Sequence, residues 1–274
     1  MNAFKQLLHH PGLAHAPHQR VPLGTWITSA SPLVAEAIGY CGFDWAVIDM
    51  EHAPLDVAQL VGMLQAVSST KLVPIVRPPW NDAVVIKRVL DAGATTVIVP
   101  FVQNASEARA AVAATRYPPQ GIRGMAGTTR ASRFGTAPRY LQTANETMGV
   151  IVQLETPTAL AALEAIAEVE GVDALFIGPA DLSAAMGHVG DQRHPEVLDA
   201  IGRAVDRARS LGKPIGTLTG TPAQAAQARA MGFDFVGLGT DLALLVNAAQ
   251  QSLDALRTQD VDMVHTLSSG TRAA

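Results

Sequence analysis

Eight short apolar segments, rich in β-branched residues, alternate along this chain with longer stretches of helical periodicity. Most of the short segments are continuously hydrophobic, which is typical of strands buried on both faces of a parallel sheet. The predicted strands are 22–27, 44–49, 72–77, 96–100, 149–155, 173–178, 214–218 and 234–238. The predicted helices include 31–40, 56–68, 82–92, 105–115, 157–168, 195–211 and 222–231.

Eight βα repeats are the number that closes a (β/α)8 TIM barrel, and 274 residues is a normal length for one such domain. An open doubly wound sheet is the alternative, but it usually has fewer strands and a GxGxxG segment after the first strand, which is missing here. We therefore predict one α/β barrel domain at 21–256, an N-terminal lead-in at 1–20 and a flexible C-terminal tail at 257–274. A Gly/Arg-rich insertion at 117–148 separates the fourth and fifth strands, and loops of this length usually serve a function or an interface.

Composition excludes several classes of protein. The net charge of −4 and the lack of a basic patch give no support to nucleic-acid binding. The only cysteine is Cys41, so neither an intramolecular disulfide nor a Cys-rich metal site can form. No apolar run reaches the roughly 18 residues of a membrane span, and the N-terminal segment lacks the apolar stretch of a signal peptide, so we expect a cytoplasmic protein without a membrane partner.

The charged fraction also bears on assembly. It is 16%, below the roughly 25% of average soluble domains. Either part of the surface is buried against another subunit, or the helices are alanine-rich and weakly charged.

Residues capable of chemistry cluster where predicted strands end. Because the carboxyl ends of all barrel strands open on one face, these scattered positions should line a single pocket. The residues are Asp49, Glu51 and His52 after the second strand, Arg77 at the end of the third, Gln153 and Glu155 at the end of the fifth, Asp181 after the sixth and Leu218 at the end of the seventh.

Glu155 and Asp181 are the strongest candidates for a metal site. Carboxylates are rarely buried unless they are paired or bind a cation. Two carboxylates with water completing the coordination suit Mg²⁺ or Mn²⁺. The alternative is that each carboxylate caps a neighbouring helix.

His52 and Arg77 are the candidates for moving protons and stabilising charge. A histidine at a barrel mouth is a natural general acid or base, and either Asp49 or Asp91 could hold its far ring nitrogen, although it could also be a surface-loop histidine. A guanidinium at the end of a buried strand needs an anion. That anion is either a developing oxyanion of the substrate or the carboxylate of Glu51 or Asp49.

The lysines argue against covalent catalysis on a carbonyl substrate. None of the four is placed at the predicted pocket, so we expect no Schiff base, and a carbanion formed there would have to be stabilised by a metal. The lysines are Lys5, Lys71, Lys87 and Lys213. The chain has neither a Gly-x-Ser-x-Gly elbow nor a Walker loop, so hydrolase and nucleotide-dependent functions gain no support, and we expect neither a nucleotide nor PLP.

Long segments in a fixed order give the chain a family resemblance. They are GTWITSASPLVAEAIGYCGFDWAVIDMEHAP, PIVRPPWNDAVVIKRVLDAGATTVIVPFVQNASEA, TRYPPQGIRG, RASRF, VQLET, GVDALFIGPADLSAAMG and HPEV. Through them, from about residue 22 to residue 247, the chain resembles the HpcH/HpaI aldolase family of metal-dependent class II pyruvate aldolases. It looks most similar to the members that cleave heptanedioates and sugar acids. The resemblance implies a barrel of the phosphoenolpyruvate/pyruvate type.

The resemblance also implies roles for single residues. Glu155 in VQLET and Asp181 in GPADLS would hold a divalent metal, most simply Mg²⁺ or Mn²⁺ with Co²⁺ or Zn²⁺ as alternatives. His52 in DMEHAP would be the acid–base group, with its basicity raised by Asp91, and Arg77 would stabilise an enolate oxygen. Asp49, the alternative to Asp91 as the partner of His52, is also predicted to be catalytic. The implied substrate-binding residues are Gln153, Gly178, Pro179, Ala180 and Leu218.

The activity implied is the reversible cleavage of a 4-hydroxy-2-oxo acid to pyruvate, or hydroxypyruvate, and an aldehyde. Oxaloacetate decarboxylation and cleavage of a CoA ester are alternatives that would use the same enolate site. A barrel without catalytic activity is a remote alternative, because the candidate metal, base and enolate residues are all present together. The resemblance further implies a homohexamer, a trimer of dimers, in which a C-terminal helix around 241–256 is exchanged between subunits.

Overall fold

The computed structural model is a closed barrel of eight parallel strands, as the sequence predicts. It describes residues 2–8 and 20–270, with the side chains of 259–270 excepted. Each strand pairs with the next along the chain, and the last pairs with the first. The strands are β1 (Leu23–Ile27), β2 (Trp45–Asp49), β3 (Val73–Arg77), β4 (Thr96–Val99), β5 (Gly149–Leu154), β6 (Ala174–Ile177), β7 (Ile215–Thr219) and β8 (Phe235–Thr240).

Helices follow the strands and surround the barrel. They are α1 (Ala3–Leu8), α2 (Pro32–Gly39), α3 (Val57–Val67), α4 (Ala83–Asp91), α5 (Ala105–Thr115), α6 (Tyr140–Thr147), α7 (Pro157–Ala161), α8 (Leu163–Ala167), α9 (Pro179–Ala185), α10 (Pro195–Ser210), α11 (Pro222–Met231) and α12 (Asp241–Gly270). Side-chain caps begin several of them: Asp56 and Thr221 form capping boxes at the starts of α3 and α11. The stretch predicted as one helix at 157–168 is two short helices, because the chain leaves helical geometry at Ala162.

Aromatic side chains fill the inside of the barrel. Trp26, Trp45, Phe176 and Phe235 are buried there, and Trp26 packs against Phe176 with ring centroids 5.2 Å apart. A larger aliphatic core lies between the strands and the helices. These side chains fill the barrel interior, so it is a packed core and not a channel. The space for a ligand therefore lies above this aromatic layer.

Helix α1 seals the end of the barrel at which the strands begin. Phe4 is fully buried and its ring lies edge-on to Phe235, with centroids 5.2 Å apart. The Asn2 side-chain amide donates to the carbonyl oxygen of Thr95 at 2.8 Å, and Lys5 pairs with Asp173 at 2.8 Å. The start of the predicted lead-in is thus an ordered plug, while its residues 9–19 lie outside the described part.

Helix α12 begins at a buried carboxylate. Asp241 accepts hydrogen bonds from the backbone N–H of Thr28 at 2.8 Å and of Ser29 at 3.1 Å, which ties the start of the helix to the end of β1. The helix runs to Gly270 and so enters the 257–274 segment that is predicted to be a flexible tail. The division into lead-in, barrel and tail stays a prediction. Among the described residues, no helix combines the length and the hydropathy needed to cross a bilayer.

Candidate active site

A pocket of about 390 Å³ opens where the strands end, above the aromatic layer. Ten of the predicted site residues line it: Asp49, His52, Arg77, Gln153, Glu155, Gly178, Pro179, Ala180, Asp181 and Leu218. Residues that alternate along a strand point to the same side, so Gln153 and Glu155 both face the barrel interior from β5. None of the residues lining this pocket is a lysine.

Arg77 at the end of β3 is held by carboxylates. Its Nε and Nη2 donate to the two carboxylate oxygens of Asp49 at 2.8 and 2.7 Å, and its Nη1 lies 2.9 Å from Glu51 Oε2. In the register of β2 against β3, Asp49 lies opposite Arg77, so the pairing of the two strands brings these side chains together. Burial opposes the charge of Arg77, but the hydrogen bonds and charge of Asp49 outweigh it and raise the pKa of Arg77. The structure therefore has the ion pair that the sequence offered as one alternative, and the guanidinium still lines the pocket.

Glu51 and His52 lie on the turn after β2. Asp49 Oδ1 accepts the backbone N–H of Glu51 at 3.0 Å and of His52 at 3.4 Å, and this fixes the turn. The His52 side chain is 62% exposed and its Nε2 is 3.8 Å from Glu51 Oε2. Burial is the main cause that raises the pKa of Glu51, against the opposing charge of Arg77. The His52 side chain is thus accessible to solvent at the pocket mouth.

Glu155 lies at the bottom of the pocket and is almost fully buried. Its Oε2 accepts the backbone N–H of Phe101 at 2.9 Å, and its Oε1 accepts Gln153 Nε2 at 2.9 Å. Burial raises the pKa of Glu155 to about 7, the amide of Phe101 lowers it, and the carboxylates of Glu51 and Asp181 raise it further. The charge of Arg77 also lowers this pKa but does not offset the burial and the two neighbouring carboxylates, so a further positive charge would stabilise ionised Glu155.

The same corner has room and donor atoms for a cation. Asp181 lies in the first turn of α9, at the edge of the pocket, and is partly exposed. A Cβ on Gly178 would come within 2.4 Å of Glu155 Oε1, so glycine allows this carboxylate to sit against the chain before α9. Gln153 Oε1 is buried and has no hydrogen-bond partner among the described residues. Two carboxylates and an amide oxygen without a hydrogen-bond partner in the described part of the chain are the kind of ligands that a hard divalent cation prefers.

Two predicted residues, Glu51 and Asp91, do not line the pocket. Asp91 ends α4, and its carboxylate accepts Arg123 Nη2 at 2.7 Å. The Arg123 side chain is fully buried and lies over the ring of Tyr117, with the guanidinium carbon 4.5 Å from the ring centroid. Within this chain Asp91 thus fixes the insertion at 117–148 to the barrel. A role of Asp91 toward His52 stays a prediction.

Several residues that line the pocket were not predicted from the sequence. They are Trp26, Thr28, Phe176, Gln192, Thr219, Gly220, Gly239, Thr240 and Ala243. The ends of β1 and β8 supply some of them, and strand-end position alone was the available signal. Gln192 comes from the loop between α9 and α10 and offers no such signal. The backbone N–H of Phe101, which donates to Glu155, was not predicted either, because the type of a residue does not show where its backbone N–H points.

Comparisons with known proteins agree with this geometry. The family model described as HpcH/HpaI aldolase/citrate lyase matches residues 23–248. The 2-dehydro-3,6-dideoxy-6-sulfogluconate aldolase of Pseudomonas putida is 49% identical over 239 residues, 87% of this chain and 94% of that protein. The 4-hydroxy-2-oxo-heptane-1,7-dioate aldolase of Salmonella dublin is 48% identical over 250 residues, 91% of this chain and 92% of that protein.

A solved structure gives the same result for the fold. The crystal structure of an HpcH/HpaI aldolase/citrate lyase family protein from Burkholderia cenocepacia J2315 superposes with a TM-score of 0.89 at 38% identity, covering 94% of this chain and all of that one. The match extends over the whole barrel and over the segments that carry the pocket. The chain therefore belongs to the HpcH/HpaI aldolase/citrate lyase family.

Proposed function

We propose that this protein is a class II aldolase, a lyase that cleaves a 4-hydroxy-2-oxo acid to pyruvate, or hydroxypyruvate, and an aldehyde. The observation that carries the proposal is the buried Glu155, whose pKa is raised to about 7 by burial and by neighbouring acids in a pocket that also contains Arg77. A buried carboxylate of this kind is unfavourable in its charged form and becomes favourable next to a cation. The names of the close relatives support the same activity class.

Glu155 and Asp181 are the proposed metal ligands, and Mg²⁺ or Mn²⁺ is the proposed ion. When bound, the ion would supply Lewis-acid polarisation of the substrate's keto group. Gln153 and the backbone of Ala180, with Gly178 and Pro179, would position the carboxylate and keto oxygens of the 2-oxo acid.

Arg77 is proposed to stabilise the enolate oxygen that develops when the carbon–carbon bond breaks. Asp49 holds the guanidinium by two hydrogen bonds, so its position is set before the substrate arrives. Preorganised donors of this kind lower barriers by about 3 kcal/mol each in comparable sites. Leu218 lines the wall of the same pocket and would contact the aldehyde half.

His52 is proposed to take the proton of the C4 hydroxyl, directly or through a water. The electron pair of that O–H bond then forms the aldehyde carbonyl, the C3–C4 bond breaks, and its electrons pass to the keto oxygen beside Arg77. The aldehyde leaves, and a proton returned to C3 gives pyruvate. The exposure of His52 allows it to exchange protons with solvent between turnovers.

The proposal includes a homohexamer built through α12. Five large apolar side chains of this helix are exposed in the single chain: Leu242, Leu245, Val246, Leu253 and Leu256. Their spacing of three, four and seven residues puts them on one stripe of the helix, which is how helices pack against partners. A cytoplasmic location is also proposed, and the single cysteine supports it because secreted domains commonly carry disulfides.

The test is a panel of hydroxy-oxo acids and aldehydes with pyruvate as the donor. Pyruvate release is measured on protein stripped with a chelator and after return of Mg²⁺ or Mn²⁺. We expect loss of activity without the metal and recovery with it. Full retro-aldol activity in the stripped protein, or faster pyruvate release from oxaloacetate than from every hydroxy-oxo acid, would overturn the assignment.

A further inference from the structure

A cluster of two histidines and a glutamate lies outside the pocket, at the start of α10. Its members are His188, His194 and Glu196, each of which offers one ligand atom, and these atoms all lie within 4.8 Å of one another. The two imidazole rings are stacked, with centroids 3.5 Å apart and planes 13° from parallel. The three side chains therefore lie close together, and one of the two rings must turn for both imidazoles to bind the same ion.

We propose that this cluster is a second metal site, separate from the pocket, and that it binds a first-row transition metal ion of the zinc class. Two imidazoles and one carboxylate form a ligand set that Zn²⁺ commonly takes, with a water in the fourth position. Mg²⁺ and Ca²⁺ prefer oxygen ligands and would not compete well. The site therefore differs in metal preference from Glu155 and Asp181.

The distances within the cluster fit an ion of this size. His188 Nε2 lies 3.1 Å from Glu196 Oε2. Bond lengths of about 2.0–2.1 Å in a tetrahedral arrangement place two ligands roughly 3.3 Å apart. An ion can therefore replace the proton that this nitrogen and oxygen share, with only a small movement. The Glu196 side chain is 71% exposed, so it is free to make that movement.

His194 caps α10, because its Nδ1 accepts the backbone N–H of Glu196 at 3.3 Å. A nitrogen that accepts a hydrogen bond carries a lone pair, so the neutral ring holds its proton on Nε2. Binding of zinc by His194 therefore requires either that Nδ1 exchanges this long hydrogen bond for the ion, or that the proton moves from Nε2 to Nδ1 and the cap is lost.

The ion would fasten the loop between α9 and α10 to α10. This loop contains Gly187 and Gly190, both with positive φ, on either side of His188. It also carries Gln192, which lines the pocket. Binding that ties His188 to Glu196 thus limits the motion of a segment that forms part of the pocket wall.

The experiment measures zinc binding by the full-length protein, with Mg²⁺ in excess to reduce zinc binding at the pocket, whose residues are the same in every variant. Four other histidines could bind zinc on their own, so the comparison is made in a background where they are replaced by asparagine: His9, His10, His15 and His18. Equilibrium dialysis with elemental analysis then gives the zinc bound per chain. Thermal melting with and without zinc gives a second readout that does not depend on activity.

The variants are His188→Asn, His194→Asn and Glu196→Gln. Asparagine is a good helix N-cap, so His194→Asn removes the ligand while keeping the cap. The control is Asp199→Asn, which removes an exposed carboxylate on the same helix. We expect the background protein and the control to bind one zinc per chain, and each of the three variants to bind it at least about 100-fold more weakly and to lose the zinc-dependent rise in melting temperature.

Equal zinc binding in the three variants and the control would overturn the site, as would the absence of zinc binding in the background protein. Glu196 is exposed, so Glu196→Gln should fold normally and decides the matter even if a histidine variant does not fold.

Discussion

Arg77 and Asp49 form a two-point ion pair across neighbouring strands, with N–O distances of 2.8 and 2.7 Å and almost no exposure of either side chain. Asp49 also accepts the backbone amides of the turn that carries His52. The Asp49 carboxylate therefore fixes the positions of both Arg77, which is proposed to face the enolate, and the turn that carries His52, the proposed base. Removing the arginine would leave a buried charge without a partner, which costs far more than the pair itself contributes.

For Arg77→Met we expect the free energy of unfolding to fall by about 3–5 kcal/mol, since Asp49 is left buried and charged. We expect kcat to fall by about 10²–10³-fold if the guanidinium stabilises the enolate oxygen. Urea unfolding at one protein concentration and steady-state kinetics measure the two effects. Arg20→Met is the matched control, because Arg20 pairs with Asp44 while 73% exposed and should cost at most about 1 kcal/mol. Similar losses in both variants would contradict this account.

The stability of the metal-free protein should depend on pH through Glu155. Its pKa is about 7 in the folded protein against 4.5 for an ordinary glutamate, so the folded state holds this proton more tightly than the unfolded chain does. Below pH 4.5 the carboxyl is protonated in both states and burial carries no charge penalty. As the pH rises from 4.5 to 7 the penalty develops, and above 7 it is fully present at up to about 3 kcal/mol.

Glu155→Gln removes that penalty. In a chelator, we expect the variant to be more stable than the parent at pH 8 and the two to be close at pH 4.5, with urea unfolding as the measurement. Saturating Mg²⁺ should stabilise the parent at pH 8 and leave the variant little changed, because the variant lacks a metal ligand. Glu146→Gln, at an exposed position on α6, should show none of these effects. A parent whose metal-free stability rises between pH 5 and 8 relative to Glu155→Gln would contradict the sign.

The barrel was predictable because each strand leaves a strong local signal. Segments such as 149–155 and 173–178 are apolar without interruption, and a parallel strand covered on both faces requires that composition. Once eight such strands are placed in order, closure and pocket follow from topology alone. The convergence of Glu155, Asp181 and Arg77 on one pocket was therefore predictable before any coordinates were known.

Other parts of the site depend on tertiary contacts that the sequence does not encode locally. The helix that carries Asp181 has only seven residues, and its formation depends on packing of Leu182 in the core rather than on periodicity. Whether Arg77 faces a substrate or a carboxylate could not be decided, because both need the same residue in the same place. The partner of Asp91 lies in the insertion at 117–148, whose course no pattern predicts.

His52→Ala should lower turnover without loss of the fold or of bound metal. The side chain is 62% exposed, so the free energy of unfolding should change by less than about 0.5 kcal/mol. General acid–base groups contribute about 10²–10⁴-fold, and we expect a fall in kcat within that range. The measurements are kcat with a hydroxy-oxo acid substrate and metal content by elemental analysis. Normal turnover in the variant would remove His52 from the mechanism.

Asp91→Asn tests two roles that differ in their readouts. The pair with fully buried Arg123 predicts a loss of about 3 kcal/mol or more in unfolding free energy, because a buried guanidinium would lose its anion. A role of Asp91 in raising the basicity of His52 predicts instead an acid-side shift of the pKa in the pH profile of kcat/KM. We expect the stability loss from the geometry of this chain, and the pH profile decides whether the proposed role toward His52 stands. Asp82→Asn is the control: Asp82 caps the start of the same helix and asparagine keeps the cap, so we expect a loss below about 0.5 kcal/mol and no change in the profile.

The exposed stripe on α12 should hold the subunits together. Leu245 is 64% exposed and Leu253 is 52% exposed in the single chain, and each would be buried against a partner helix in the proposed hexamer. Charges at these positions would be desolvated in such an interface, so Leu245→Glu with Leu253→Glu should lower the oligomeric state measured by light scattering after gel filtration. Gln251→Glu adds a charge to the same helix away from the stripe and should leave the assembly intact. The barrel contains neither leucine in its core, so circular dichroism should be unchanged in both variants. A double variant that elutes as the parent does would show that α12 is not the contact between subunits.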